Sequence, residues 1–184
     1  GYEVEREFYV NDAGNQVNRY GFSIEARYMQ LFQPDFPFPE DGYAGEDVTE
    51  NAKAFAEIHG DKYVHCDSEA RRKALISYAI PKNIQVLHDD LLRYRVEYDN
   101  WFHESALHEG GAVDRAVELM KEKGFTYEKE GALWFKGESF GCEDFVLVRS
   151  NGVPTYIVPD IGYHYNKLVT RGFDKAINVL GADH

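Results

Sequence analysis

The sequence has 184 residues, of which 43% are hydrophobic and 15% aromatic, so the chain can bury one sizeable core or two small ones. That composition excludes an intrinsically disordered chain. Its 32 acidic residues outnumber the 20 basic residues, and the formal charge of -12 opposes strong binding to a nucleic-acid backbone.

Cysteine usage and hydropathy narrow the class of protein further. Cys66 and Cys142 lie far apart with no Cys-x-x-Cys motif or nearby cluster of ligands, so the sequence predicts neither a metal site nor a disulfide framework. No apolar run approaches the roughly 18 residues that span a membrane, and no signal-peptide pattern opens the chain. We therefore expect a protein of the reducing cytoplasm with no membrane partner.

The first predicted element is a half-buried strand. Residues 4–10 alternate charged with apolar or aromatic side chains, and the turn formers Asn11 and Gly14 follow. A helix is expected at about residues 16–32. The proline-rich segment 33–39 cannot continue that helix, because proline lacks a backbone donor and restricts the residue before it, so a boundary is expected there.

Residues 40–125 carry apolar side chains at helical spacing, which predicts a mainly helical block. Gly60 and Gly124 are expected to end the first and third of its helices. Ser68 is the expected N-cap of the second helix, and Pro81 predicts a kink or a break within it. The positions expected to be apolar faces are Val48, Ala52, Phe55, Ala56, Ala70, Leu75, Ala79, Val86, Leu87, Leu91, Val113, Ala116, Val117 and Met120.

Beyond this block the apolar period changes to that of strands. Short strands are predicted at residues 132–135 and 145–148. Asn151 and Gly152 tolerate the positive φ of a tight turn, so they predict a hairpin into a further strand at 153–157.

A crossover unit is predicted at the end of the sequence. A helix would start at Pro159 and end at Gly172, and the apolar run 177–180 would form a parallel strand after it. Ligands of parallel sheets bind at the carboxyl ends of strands, so residues 181–184 are expected at a site. Because the sequence starts and stops inside apparent strands, we expect it to be a piece of a longer protein.

The sequence does not match several familiar catalytic and nucleotide-binding motifs. His103, Glu104 and His108 resemble a zinc-protease helix, but that motif needs histidines four residues apart and these are five apart. They are interpreted as surface or partly buried residues. The sequence also lacks a Gly-x-Gly-x-x-Gly motif and a phosphate-loop lysine, so dinucleotide binding and P-loop chemistry have no support.

Five segments together resemble, in order, the bacterial-type arginyl-tRNA synthetase family of class I aminoacyl-tRNA synthetases. They are Glu-Phe-Tyr-Val-Asn-Asp-Ala-Gly-Asn-Gln at 7–16, Phe-Pro-Glu-Asp-Gly-Tyr-Ala-Gly-Glu at 38–46, Asp-Asn-Trp-Phe-His-Glu-Ser-Ala-Leu at 99–107, Gly-Ala-Leu-Trp-Phe at 131–135, and the stretch from Val146 to Gly-Ala-Asp-His184. The resemblance implies an internal fragment of the catalytic core, with an α/β fold. Residues 1–35 and 131–184 would be parts of a Rossmann-like nucleotide-binding core, and residues 36–130 a mainly helical insertion.

The resemblance also implies a reaction, in which arginine is activated with ATP and transferred to tRNA(Arg). ATP would be a substrate accompanied by Mg²⁺, and no tightly bound cofactor is expected. The family's His-x-Gly-His and Lys-Met-Ser-Lys-Ser-like motifs are absent, since Ile58-His59-Gly60-Asp61 lacks the second histidine. The isolated chain is therefore expected to be inactive, to bind tRNA weakly or not at all, and to contain no catalytic residue that can be named.

The resemblance implies that this chain takes part in recognising the amino acid. It assigns Tyr156, Asp160 and His184 to arginine, and Gly181 and Asp183 to the nucleotide. Tyr156 and Asp160 are four residues apart and so share one helical face, where a carboxylate can accept two parallel hydrogen bonds from a guanidinium.

Plainer interpretations stay open for each of these assignments. The carboxylate would also suit the positive end of its helix, the tyrosine could simply pack, and the last residues could form an ordinary turn. The loop at Asn11, Asp12, Gly14 and Gln16 is explained equally well by backbone demands, so it is assigned no catalytic role. A non-catalytic, acidic α/β binding or assembly module is the alternative function.

Overall fold

The computed structural model describes residues 1–181 and divides the chain into two compact units, Gly1–His103 and a second unit that starts at Glu104. Helices and small sheets occur together, so the α/β class is confirmed. This division differs from the predicted boundaries near residues 35 and 131. The assignment of those segments to a nucleotide-binding core and an insertion stays a prediction, as does the Rossmann-like arrangement.

The first unit contains three helices between two short strands. Its elements are β1 (Glu7–Val10), α1 (Gly14–Gln30), α2 (Glu46–His59), α3 (Ser68–Arg93) and β2 (Asn100–His103). The two strands pair in parallel, with Glu7 opposite Asn100 and Val10 opposite His103. The predicted first strand and first helix are confirmed, each with shifted ends, whereas β2 was not predicted.

The core of the first unit lies where α1 packs against α2 and α3. Ile24, Tyr28, Phe55 and Leu75 are almost completely buried there, and the Tyr28 hydroxyl donates to the Gly60 carbonyl over 2.7 Å. The apolar spacing that predicted α2 corresponds to its buried face, since Val48, Ala52 and Phe55 are its buried residues. Gly60 follows the last helical residue with φ 58°, as its expected role requires.

Two details of α3 differ from the predictions. Asp67, and not Ser68, is the N-cap, and its carboxylate accepts a hydrogen bond of 2.9 Å from the Ala70 amide. Of the two effects predicted at Pro81, a break does not occur, since α3 is one helix from Ser68 to Arg93. One lost backbone hydrogen bond is outweighed by the helical turns on both sides and by the burial of Leu75 before it.

The second unit combines helices with an antiparallel sheet. Its elements are α4 (Ser105–Glu109), α5 (Ala112–Glu122), β3 (Thr126–Lys129), β4 (Ala132–Phe135), a 3-10 turn (Gly137–Phe140), β5 (Phe145–Val148) and α6 (Ile157–Tyr165), which continues as a π-helical turn (Asn166–Thr170). The strand order is β3-β4-β5. Helix α5 buries its predicted face, and β4 and β5 have the predicted bounds.

The hairpin predicted at Asn151-Gly152 forms only as a turn. The Gly152 amide donates to the Arg149 carbonyl over 2.8 Å, and the Arg149 amide donates to the Val153 carbonyl over 2.9 Å. A single antiparallel bridge joins Val148 to Pro154, and no strand follows at 153–157. Proline has no amide to donate, and α6 starts at once, so the predicted second strand cannot extend.

The predicted strand at 177–180 is wrong. These residues form no regular secondary structure, and Ile177 and Val179 expose 75% and 93% of their surface. An apolar run becomes a strand only where a neighbouring strand pairs with its backbone, and none does so among residues 1–181. The predicted crossover therefore does not form in the described part of the chain. None of the helices described there is both long and apolar enough to span a membrane.

Candidate functional site

Helix α6 has one buried face and one exposed face. Val158, Gly162 and Tyr163 are buried, and a Cβ added to Gly162 would lie 3.5 Å from the Ala112 carbonyl, so α6 packs closely on the start of α5. Pro159 lies in the first turn, where its missing amide costs no helical hydrogen bond. The opposite face is left to solvent.

The exposed face carries both predicted arginine contacts that the structure describes. Tyr156 precedes the first helical residue and exposes 88% of its surface, so it does not pack against this chain. Asp160 lies one turn later with its side chain 62% exposed. Gly181 is exposed as well, whereas Asp183 and His184 lie outside the described residues. Of the predicted set, the structure thus brings together Tyr156 and Asp160.

A chain of hydrogen bonds runs from Asp160 to the C-terminal segment. Nδ1 of His164 lies 2.9 Å from the Asp160 carbonyl oxygen and 3.4 Å from its carboxylate Oδ1. Nε2 of the same ring lies 2.8 Å from Nδ2 of Asn178. The Asn178 Oδ1 accepts a hydrogen bond of 2.9 Å from Nζ of Lys167.

Lys167 is the buried end of this chain. It lies in the π-helical turn after α6, and its ammonium stands 4.0 Å from the centroid of the Tyr163 ring. A ring face attracts a cation, so Tyr163 and Asn178 together compensate the loss of water around the ammonium. The exposed end of the chain is the carboxylate of Asp160. The site thus presents an anion to solvent, which suits a cationic ligand.

His164, Lys167 and Asn178 were not predicted as site residues. A signal was available for His164, since it stands four residues after Asp160 and therefore on the same helical face. No local signal points to Asn178, because its contacts with His164 and Lys167 depend on where the irregular segment 173–181 places it. Residues 177–180 of that segment had been predicted as a strand.

A second polar cluster lies in the first unit, at the carboxyl ends of its parallel strands. Oδ2 of Asp12 is 2.8 Å from Nδ1 of His103, and Asn11 donates to Gln16 over 3.1 Å. A cavity of about 220 Å³ lies beside Asn11 and Asp12. His103 is half-exposed, as interpreted from the sequence. Among residues 1–181, no group of three His, Cys, Asp or Glu side chains is arranged to hold a metal ion.

Comparison with known proteins gives one consistent family. No protein-family model matches the chain. It is 60% identical over 185 residues to the arginine–tRNA ligase of Caldanaerobacter subterraneus subsp. tengcongensis, and 52% identical over 187 residues to that of Acetivibrio thermocellus. Both comparisons cover 100% of this chain and 33% of the relative. The chain therefore spans about a third of the length of the curated relatives it matches.

Solved structures agree with this result. A Campylobacter jejuni structure described as an arginyl-tRNA synthetase superimposes with a TM-score of 0.87 and 33% identity, over 100% of this chain and 40% of that one. The Thermus thermophilus arginyl-tRNA synthetase superimposes with a TM-score of 0.55 and 21% identity, over 91% of this chain and 29% of that one. The second likeness shows the fold alone.

Proposed function

We propose, on the premise that this chain belongs along its whole length to the arginyl-tRNA synthetase family, that it carries an arginine-binding surface of such an enzyme. The whole enzyme would activate arginine with ATP and transfer it to tRNA(Arg), in the cytoplasm. ATP with Mg²⁺ would be a substrate, with no tightly bound cofactor. The observation that carries the proposal is the exposed carboxylate of Asp160 on the outer face of α6.

Asp160 would bind the guanidinium of arginine. A carboxylate and a guanidinium form two parallel, charge-assisted hydrogen bonds, a geometry that the ammonium of lysine cannot match. Tyr156, one turn before it on the same face, offers an exposed ring against which the flat guanidinium can stack. His184 would contact arginine, and Gly181 and Asp183 the nucleotide, and these three assignments rest on the resemblance alone.

This chain would contribute binding and orientation to the reaction. In the activation step, the arginine carboxylate attacks the α-phosphate of ATP in line, and correct placement of the two reactants lowers the barrier. Negative charge then develops on the phosphate, and stabilising it requires cationic or donor groups. The family motifs that stabilise it are absent from this sequence. We therefore assign no catalytic residue, and expect the isolated chain to form no arginyl-adenylate.

The test is Asp160→Asn in the full-length enzyme that contains this chain. The change removes the anion and turns an amide donor toward a guanidinium that has only donors. Since charge-assisted bonds contribute about 1.5–3 kcal/mol each, kcat/KM for arginine should fall by about two to four orders of magnitude. The KM for ATP should change by less than about threefold, because the nucleotide contacts are retained. ATP–pyrophosphate exchange measures both parameters.

Asp114→Asn is the matched control. Asp114 is also an exposed acidic residue in the first turn of a helix, α5, so its change removes the same favourable contact with the helix dipole. Arginine use should be unaffected by it. If Asp160→Asn leaves kcat/KM for arginine at the wild-type value, Asp160 is only a helix-end residue and the proposed site is wrong.

The acidic charge favours one alternative function. A chain with a formal charge of -12 has few phosphate contacts to offer, so we propose that it binds tRNA weakly or not at all when isolated. In that setting it would act as a non-catalytic α/β binding or assembly module. Arginine binding distinguishes the arginine-binding function from the non-catalytic module, because only the first requires the Asp160 carboxylate.

A further inference from the structure

A carboxylate and a histidine lie together at the carboxyl ends of the two parallel strands of the first unit. Strand β2 ends at His103, which is opposite Val10, the last residue of β1. The Asp12 amide donates to the Val10 carbonyl over 3.0 Å, so the chain turns immediately after β1. The rings of Tyr9 and Phe102 stack across the strands with centroids 6.1 Å apart, and this pair helps to fix the register. As a result, Oδ2 of Asp12 lies 2.8 Å from Nδ1 of His103.

The position of Asp12 determines which nitrogen of His103 carries the proton. A carboxylate can only accept hydrogen bonds, so Nδ1 donates to Oδ2, and the neutral ring has its lone pair on Nε2. The Asp12 side chain is only 12% exposed, whereas that of His103 is 42% exposed. Within residues 1–181 no other group forms a hydrogen bond with this ring, and Nε2 is open to solvent. The structure therefore presents Nε2 as a free acceptor, with a carboxylate on the other side of the ring.

The two steps of the proposed reaction differ in their need for a base. In activation, the arginine carboxylate attacks the α-phosphate, and the nucleophile has no proton to lose. In transfer, a ribose hydroxyl at the end of tRNA(Arg) attacks the carbonyl carbon of arginyl-adenylate. A hydroxyl is a weak nucleophile unless an adjacent base accepts its proton. A histidine that has one free nitrogen, and a carboxylate bonded to the other, is suited to accept it.

We propose that His103 is the general base of the transfer step and that Asp12 is its positioning residue. Nε2 accepts the proton of the ribose hydroxyl while the hydroxyl oxygen forms a bond with the carbonyl carbon. The bond from that carbon to the phosphate oxygen breaks, and AMP leaves with the bonding electrons. Asp12 holds the ring through Nδ1 and stabilises its positive charge until the proton passes to solvent. The inference rests on the proposed function, because its reactants are arginyl-adenylate and tRNA(Arg).

The test separates transfer from activation in the full-length enzyme that contains this chain. His103→Asn keeps an amide donor where Nδ1 faces Asp12, but it has no basic nitrogen. Since a general base contributes about 10²–10⁴-fold, the single-turnover rate of arginyl-tRNA formation at saturating tRNA(Arg) should fall about 100-fold. Rapid quench measures this rate. ATP–pyrophosphate exchange, with tRNA(Arg) present, should change by less than about threefold, because activation needs no base.

Two further variants test the base and its positioning residue separately. His103→Gln also lacks a basic nitrogen, so it should reproduce the defect of His103→Asn if that variant folds poorly. Asp12→Asn replaces an obligate acceptor with an amide that can donate to the ring and move its proton to Nε2. Transfer should then slow by about tenfold or more while exchange is retained. An unchanged transfer rate in Asp12→Asn overturns the positioning role of Asp12.

His108→Asn is the matched control. His108 is also a half-exposed histidine, but the Glu104 carboxylate lies 3.8 Å from its ring, which is beyond hydrogen-bond distance. Transfer and exchange should both stay within about threefold of the wild type in this variant. An equal loss of transfer in His108→Asn would show that the assay does not report on the Asp12–His103 pair, and the assignment of the base would be overturned.

The outcomes distinguish this inference from the proposed function. If both His103 variants form arginyl-tRNA at the wild-type rate, His103 is not the base, and the arginine site at Asp160 is unaffected. If they slow exchange as much as transfer, or raise only the KM for tRNA(Arg), the role is structural or one of binding, and the inference is overturned. If Asp160→Asn leaves arginine use unchanged, the arginine site fails, whereas a loss confined to transfer in the His103 variants still identifies the base.

Discussion

Glu25 and Asp160 are both carboxylates with a nitrogen atom of another side chain nearby, but one is buried and the other is exposed. Glu25, in the first unit, is almost completely buried, and it accepts hydrogen bonds from Arg71, Arg72 and Ser68 at 2.8, 3.0 and 3.0 Å. Asp160, in the second unit, is 62% exposed and has a half-buried histidine beside it. The first carboxylate has two obligate cations within its own chain, whereas the second keeps an exposed oxygen for a ligand.

The difference shows how to distinguish a structural anion from a binding one. Arg71 also donates to the carbonyls of Tyr63, Val64 and Cys66, so the Glu25 cluster fixes the connection between α2 and α3. A buried charge of this kind is tolerated only when every donor and acceptor around it is paired. The carboxylate of Asp160 does not require such pairing, since it is exposed and water can solvate it in the absence of a ligand.

The largest expected effect is the loss of stability in Glu25→Gln. The substitution leaves the buried guanidinium of Arg71 without its anion, and breaking a buried ion pair on one side costs about 3–5 kcal/mol. Urea denaturation should show this decrease in the free energy of unfolding. Glu69→Gln is the control, because Glu69 is exposed in the first turn of α3, and losing a charge there should cost no more than about 1 kcal/mol. Equal effects of the two changes would mean that Glu25 has no structural role.

A smaller effect is expected at an exposed ion pair of the first unit. Arg6 donates to Asp99 through its guanidinium and its backbone amide, and these bonds lower the pKa of the Asp99 carboxyl below its ordinary value. A lowered pKa in the folded state stabilises the protein above the unfolded pKa, and this contribution is lost as the pH falls through the folded pKa. The pair lies at the surface, so its contribution is small.

Asp99→Asn tests that contribution. Relative to the wild type, the variant should be less stable at neutral pH, and the difference should shrink as the pH falls below the ordinary carboxyl range. Urea midpoints measured from neutral to strongly acid pH would show it. Asp35→Asn, the control at another exposed carboxylate of the same unit, should lower the urea midpoint at neutral pH less than Asp99→Asn does. A constant difference between Asp99→Asn and the wild type at every pH would contradict the assignment.

The fold could be predicted from the sequence where burial is periodic and local. Helix α5 buries Val113, Ala116, Val117 and Met120, and their spacing alone indicated its face. Strand β2 was missed because Asn100–His103 has no alternating pattern, and it becomes a strand by pairing with β1, far away in the sequence. Apolar character was misleading at 177–180 for the same reason, since a strand depends on a partner that its own residues do not reveal.

The candidate site, like the fold, could be predicted only where it depends on residues close together in the sequence. Tyr156 and Asp160 came from the resemblance, and their spacing of four placed them on one face of a helix. The contact between His164 and Asn178 could not be predicted, because only the fold brings these two residues together. Contacts between residues far apart in the sequence therefore decided both, through backbone pairing for the missed strand and through side chains for the missed part of the site.

The smallest expected effect is that of Asp160→Asn on stability, and it contrasts directly with Glu25→Gln. Asp160 is exposed, and its carboxylate is stabilised by its place in the first turn of α6. Losing a charge at that position costs about 0.3–1 kcal/mol. The free energy of unfolding, measured in urea, should fall by no more than this. A loss comparable to that of Glu25→Gln would show that Asp160 is a structural anion, and the contrast between the two carboxylates would fail.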